Sequence, residues 1–276
     1  MISGSTRVAA VIGSPVQHSL SPALHNAGFR QLGLDWVYVA LEVQPGDAHV
    51  ALQAMCTFGL GGLSVTMPHK EAVALAVDEL DPAATALQSV NTVVPAADGR
   101  LVGHSTDGAG FIASLAAHGV DVAGRSVCLL GAGGAARAIS DALARAGAGR
   151  IAVVNRTFST AQHTVALAGG VGVIGAAGDI RDADIVVNAT SIGMGSDDIP
   201  CDAALLRAGQ VVADIVYHPR DTALLRAARA AGATTVDGLA MLVHQAVLQQ
   251  VLWHGARPDP AVMAAAAERE LAARHQ

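Results

Sequence analysis

The segment that most restricts how this chain can fold is Gly131-Ala-Gly133-Gly134-Ala-Ala136, which directly follows the apolar run Val127–Leu130. It satisfies G-x-G-x-x-G/A. The first glycine permits a tight turn, the second lets backbone approach a pyrophosphate, and the small third residue, here Ala136, lets helix and strand pack closely. A helix expected over Gly134–Ala146 would aim its unpaired N–H groups and its positive end at phosphates. A second strand follows at Ile151–Val154. Short β-branched runs alternate with Ala-rich stretches on both sides of this turn, the pattern of βαβ units and an α/β fold.

From Arg125 onward, strands are expected at Ser126–Leu130, Ile151–Val154, Val171–Ile174, Asp184–Asn188, Gln210–Asp214 and Thr234–Val236. That series fits a doubly wound sheet made of two mononucleotide-binding halves. Before Arg125 the expected strands are Val8–Ile12, Trp36–Leu41, Gly62–Val65, Val90–Val94 and Arg100–Gly103, with helices over Pro22–Leu32, Asp47–Phe58, Lys70–Val77 and Gly108–His118. Asp98-Gly99 is a turn dipeptide and predicts a hairpin, so the first sheet is expected to be mixed, with one antiparallel edge. A long helix, Leu239–Trp253, and a final helix reaching about Arg274 are expected to close the chain and to return to the first domain.

Composition narrows the function classes. A net charge of −6 provides no basic field for a nucleic-acid backbone. The long uncharged stretches, such as Val50–His69, are broken by Gln53, three glycines and Pro68, so no membrane span is expected. The N-terminus lacks the apolar segment and cleavage site of a signal peptide. Three cysteines without CxxC spacing suggest neither a disulfide framework nor a metal site, and the expected location is the cytoplasm. Lys70 is the single lysine among 17 basic residues. Arginine keeps its proton in proteins whereas lysine can exchange one, which makes Lys70 a candidate for proton chemistry.

The end of the second strand of a dinucleotide fold selects the cofactor, an acid favouring NAD and an arginine NADP. Here it reads Asn155-Arg156-Thr157, with no acid in reach, and NADP is expected. Four polar clusters also stand at ends of expected strands: His18-Ser19-Leu20-Ser21-Pro22, Ser64–Lys70, Asn91-Thr92 and Ser105-Thr106-Asp107. Open α/β sheets place their ligands at such strand ends.

With these clusters in order, the chain resembles the shikimate dehydrogenases. The resemblance rests on HSLSPALHN at 18–26, SVTMPHK at 64–70, VNT at 90–92, STDGAGF at 105–111, LLGAGGAARA at 129–138, VVNRT at 153–157, NATSIGM at 188–194, DIVYHP at 214–219 and DGLAMLVHQ at 237–245. It implies a mixed-sheet α/β substrate domain over 1–106 and 239–276, a Rossmann NADP domain over 107–238, and an active site in the cleft between them. It also implies that Ser19 and Ser21 bind the substrate carboxylate, that Thr66, Asn91 and Gln245 hydrogen-bond ring hydroxyls, and that Tyr217 lines the cleft. Lys70 and Asp107 would be the catalytic pair. Gly131, Ala132, Gly133, Gly134 and Ala135, with Asn155, Arg156, Thr157 and Gly238, would form the NADP site. No metal is implied.

Two departures from the family pattern stand out. Ser64 replaces the usual Asn of an NVT segment. Thr160 stands where a second basic residue often supports the 2′-phosphate, which leaves Arg156 to carry it. The implied reaction is the reversible reduction of 3-dehydroshikimate to shikimate by NADPH, a step toward chorismate and the aromatic amino acids. A quinate or aminoshikimate dehydrogenase is the alternative within the enzyme class, and a non-catalytic NADP sensor the alternative outside it. A small-molecule substrate and a homodimer are the expected partners.

Overall fold

Strand β1 (Arg7–Gly13) is buried along its last five residues and runs parallel between two neighbours, β2 (Trp36–Glu42) and β3 (Gly62–Val65). A strand covered on both faces reads as a continuous apolar run, here Val-Ala-Ala-Val-Ile. The computed structural model describes residues 2–274. Its contacts divide the chain into two compact units, one formed by the described residues up to Thr106 together with those from Val243 onward, the other by Asp107–Leu242.

In the first unit, α1 (Ser21–Gln31) joins β1 to β2, α2 (Ala48–Phe58) joins β2 to β3, and α3 (Lys70–Ala76) follows β3. Then come β4 (Glu79–Leu80), α4 (Pro82–Leu87), β5 (Thr92–Pro95) and β6 (Leu101–His104). The sheet order is β2-β1-β3-β5-β6-β4. Strand β5 is antiparallel to both β3 and β6, whereas β4 pairs parallel with β6. The expected hairpin is present, but its reversed strand lies inside the sheet and β4 takes the edge. The sequence reading missed β4, whose two residues are too few for periodicity to register. It also missed α4, whose signal was legible: Asp81 caps it by accepting from the Ala84 N–H at 2.6 Å, and Pro82 opens it. The strand expected at Val90–Val94 begins only at Thr92, because the Val90 N–H turns to the Lys70 carbonyl.

The second unit begins with α5 (Asp107–Ala117) and continues through β7 (Ser126–Leu130), α6 (Gly134–Arg145), β8 (Arg150–Val154), α7 (Phe158–Leu167), β9 (Gly172–Ile174) and α8 (Asp179–Asp182). Then follow β10 (Ile185–Asn188), β11 (Val211–Asp214), α9 (Ala223–Ala230) and β12 (Thr234–Val236). All strands run parallel in the order β12-β11-β10-β7-β8-β9, and the order reverses between β7 and β10. Leu129, Ile139, Ile151, Val153, Ile185 and Val187 are fully buried between sheet and helices. Burying such a side chain stabilises by about 1.5–3 kcal/mol. The polar residues that end β10 and β11 turn inward: the Asn188 amide donates to Asp214 Oδ1 (2.9 Å) and the Thr222 hydroxyl to Asp214 Oδ2 (2.7 Å). Burial raises the Asp214 pKa above the usual carboxylate value, and the bonds from Thr222, the Val216 N–H and Asn188 offset part of that rise.

Helix α10 (Gly238–His254) contributes its first residues to the second unit and the rest to the first, where α11 (Pro260–Ala273) packs along α1. Gly28 of α1 lies close to the Gln250 carboxamide, and a Cβ there would stand 2.7 Å from the amide nitrogen, so the side chain would have to shift. That amide donates to the His25 carbonyl at 3.0 Å. Among the described residues, no helix is long and apolar enough to cross a membrane and no cluster of His, Cys, Asp or Glu could hold a metal.

Candidate active site

In the first unit the sequence-predicted residues gather at the carboxyl ends of β1 and β3. Ser19 lies in the loop after β1, half-buried, and its Oγ accepts from the Ser21 N–H at 3.2 Å as α1 begins. Arg274, following α11, donates to the carbonyls of His18 (2.7 Å) and Ser19 (3.3 Å), and is itself paired with Glu270. Thr66 follows β3 and Lys70 opens α3, both half-buried. Between them His69 is buried, its Nε2 2.8 Å from the Val43 carbonyl.

The antiparallel register sets Ser64 opposite Thr92, which brings Thr66 and Asn91 to the same end of the sheet. Asn91 Oδ1 accepts from the Thr106 N–H (2.9 Å) and the Thr92 hydroxyl (2.8 Å), while its amide donates to Thr106 Oγ1 (3.0 Å). Both ends of the Asn91 carboxamide are thereby assigned. Gln245 is buried on α10.

The sequence reading missed two side chains in this unit, Tyr38 and Gln249, and the bonds that join them to Ser64 and Thr92. The Tyr38 hydroxyl donates to Ser64 Oγ (2.6 Å), Ser64 donates to Gln249 Oε1 (2.8 Å), and the Gln249 amide donates to Thr92 Oγ1 (2.9 Å). Ser21 also favours the ionised form of the Tyr38 phenol. Burial drives the Tyr38 pKa far up, only partly countered by the two serines, so the phenol stays protonated. Gln249 had a faint signal: it lies four residues beyond Gln245, on the same helix face.

In the second unit, the parallel register Leu130↔Val154 places the glycine turn beside Asn155. Gly131 has φ +109° and a Cβ there would approach the Ala189 carbonyl to 2.9 Å. Gly133 and Gly134 differ, because a Cβ at either would meet nothing within 4 Å. No contact within the chain demands glycine there, and the open space lies at the start of α6, which no side chain caps. Ala132 and Ala135 are at least partly exposed and Ala136 is fully buried. A pyrophosphate fits this arrangement, taking the helix N–H groups that lack a partner.

Asn155 donates to the Thr157 carbonyl (3.0 Å) and to Thr160 Oγ1 (2.7 Å), and Arg156 and Thr157 are exposed. Tyr217 is half-buried after β11 and Asp107 half-buried at the start of α5. Gly238 has a packing reason of its own: a Cβ would lie 2.4 Å from the Ile215 carbonyl oxygen.

Comparison with known proteins agrees with both halves. Residues 11–93 match the shikimate dehydrogenase substrate binding domain, residues 114–195 the shikimate / quinate 5-dehydrogenase model, and residues 238–268 the shikimate 5′-dehydrogenase C-terminal domain. The shikimate dehydrogenase (NADP(+)) of Rubrobacter xylanophilus is 44% identical over 271 residues, covering 95% of each chain. The crystal structure of shikimate 5-dehydrogenase from Thermus thermophilus in complex with NADP(H) and shikimate is 37% identical, with a TM-score of 0.88 over 95% of this chain and 99% of that one. The ligand-free 5-ketofructose reductase of a Gluconobacter strain is 36% identical, with a TM-score of 0.89 over 97% and 99%. By sequence over nearly its whole length, and by an α/β fold that pairs a mixed sheet with a doubly wound parallel one, the chain belongs to the shikimate/quinate dehydrogenase family.

Proposed function

We propose that this chain is an NADP-dependent oxidoreductase that interconverts 3-dehydroshikimate and shikimate, a step of aromatic amino acid biosynthesis. The observation that carries the reading is the set of side chains at the ends of β1, β3 and β5 and on α10. Two serines suit a carboxylate, and a threonine and two amides (Thr66, Asn91, Gln245) suit ring hydroxyls. The only lysine stands beside them in the first unit, which on this reading is the substrate domain.

The second unit is the cofactor domain of this reading. The glycine turn and the start of α6 hold the pyrophosphate, Arg156 pairs with the 2′-phosphate, and Asn155 and Thr157 complete the loop. The bound cofactor supplies the hydride for carbonyl reduction. Lys70 gives a proton and a positive charge to the oxygen that becomes alkoxide-like, and Asp107 is the second member of the catalytic pair. Such acid–base assistance is worth about 10²–10⁴-fold. Tyr217 is a further substrate contact on this reading. A cytoplasmic location and a homodimer belong to the same proposal. The former is supported by three unpaired cysteines and the lack of a spanning helix among the described residues.

The test is cofactor reduction followed by absorbance, with shikimate and quinate each offered against NADP+ and NAD+. Preferential turnover of shikimate with NADP+ is expected. Turnover of quinate alone would move the chain to the quinate branch, and cofactor binding without turnover of either would overturn the enzyme reading.

A further inference from the structure

Six polar side chains form a continuous buried chain through the first unit: Tyr38, Ser64, Gln249, Thr92, Asn91 and Thr106. It runs from the Tyr38 hydroxyl to Thr106 and includes the hydroxyl-binding asparagine of the proposed substrate site. The middle link is the weak point. Ser64 and Thr92 face each other across β3 and β5, yet the bond between them runs through a third element, α10. Gln249 makes that bond with both ends of its carboxamide: Oε1 accepts from Ser64 (2.8 Å), and Nε2 donates to Thr92 Oγ1 (2.9 Å) and the Asn91 carbonyl (3.2 Å). At 2% exposure, Gln249 is buried, and its carboxamide finds its hydrogen bonds in these partners.

We propose that Gln249 is a positioning residue for substrate binding: through Thr92 and the Asn91 carbonyl it holds the Asn91 carboxamide in place, and through Ser64 it ties that arrangement to the Tyr38 hydroxyl. This rests on the substrate reading given above. The physical basis is directional. Thr92 has one hydroxyl proton, and because Gln249 donates to its oxygen, that proton is left for Asn91 Oδ1. Without the Gln249 donor, the Thr92 hydroxyl can turn away; Asn91 Oδ1 then keeps the Thr106 N–H but loses its second donor, and the Asn91 carbonyl loses the Gln249 amide. Substrate hydroxyls would then meet a less firmly held carboxamide. Buried networks behave as units, so a break in the middle reaches both ends.

The test compares Gln249→Ala, the volume-keeping Gln249→Met, and Gln249→Ala combined with Ser64→Asn. Cross-strand neighbours lie about 5 Å apart, so an asparagine at 64 can reach Thr92 directly. The single variants should raise KM for shikimate about tenfold, the factor that corresponds to about 1.4 kcal/mol. The KM for NADP+ and kcat should change little, and the double variant should recover most of the loss. A merely structural glutamine would lower thermal stability and active fraction while leaving KM alone, and that result overturns the proposal. If Gln249→Ala does not fold, Gln249→Met and Thr92→Val give the same reading. Crystal structures of the variants test it without substrate: Asn91 should leave Thr92, and an Asn91 that keeps its bonds overturns the inference. Failure of the functional reading is distinct, since there the parent enzyme itself would not oxidise shikimate.

Discussion

Asn155 and Thr160 are joined by a 2.7 Å hydrogen bond, and the Thr160 hydroxyl in turn donates to the Thr157 carbonyl at 2.9 Å. The loop between β8 and α7 is thus closed on itself. Arg156, exposed, is the only basic residue from Ile151 to Gln162. A hydrogen bond to a charged group contributes about 1.5–3 kcal/mol, and each 1.4 kcal/mol is about tenfold. Arg156→Ala should therefore weaken NADP+ by roughly 10- to 150-fold and leave NAD+ almost unchanged. Thr160→Arg should strengthen NADP+ at low salt, less so as salt screens the exposed charge, and only in part because Asn155 loses its acceptor. Fluorescence titration of both cofactors checks this; equal weakening of both by Arg156→Ala would make Arg156 structural.

Lys70 and Asp107 carry the chemistry in the proposed reaction. Lys70→Ala should lower kcat by about 10²-fold or more while NADPH affinity holds, because the phosphate turn begins at Gly131 in the other unit. Asp107→Asn keeps shape and removes charge, and it should lower kcat with a smaller effect on KM. Single-turnover kinetics with a cofactor-binding control decide both. A Lys70→Ala enzyme of near-normal kcat would end the assignment.

Arg274 holds the carbonyls of His18 and Ser19 from the end of α11. Its guanidinium fork fixes two successive backbone oxygens in a way a lysine cannot reproduce. Arg274→Ala should raise KM for shikimate several-fold without touching NADP+ binding, and Arg274→Lys should recover little. An unchanged KM in the alanine variant would show that the loop needs no clamp.

His25 is fully buried, stacked on Tyr38 with ring centroids 4.2 Å apart. Burial, above all, lowers its pKa from 6.5 to about 3, the neighbouring Gln249 opposes this in part, and His254 adds to it. The unfolded chain takes up the proton below 6.5, but the folded chain does so only near 3. Stability from this group is thus complete above pH 6.5 and is lost as pH falls toward 3, at about 1.4 kcal/mol per unit. His254 is also lowered by burial and bends the curve the same way. Replacing His25 by Phe should flatten the fall of Tm with acid without abolishing it; parallel curves for both proteins would refute the account.

The second unit was legible because its information is local. The glycine turn, its flanking strand and helix, and Asn155-Arg156-Thr157 lie within a short span, and adjacent parallel strands bring them together with no long-range choice to make. The substrate-side residues were legible by type and by strand end, for the same reason. What only the tertiary structure decided is the interior place of β5, the edge strand β4, and the buried chain through Tyr38, Ser64 and Gln249. Ser64 and Gln249 are separated by 185 positions, and neither spacing nor periodicity relates them. A buried carboxamide takes its meaning from the partners that packing brings to it, and those are fixed only when α10 is laid against β3 and β5.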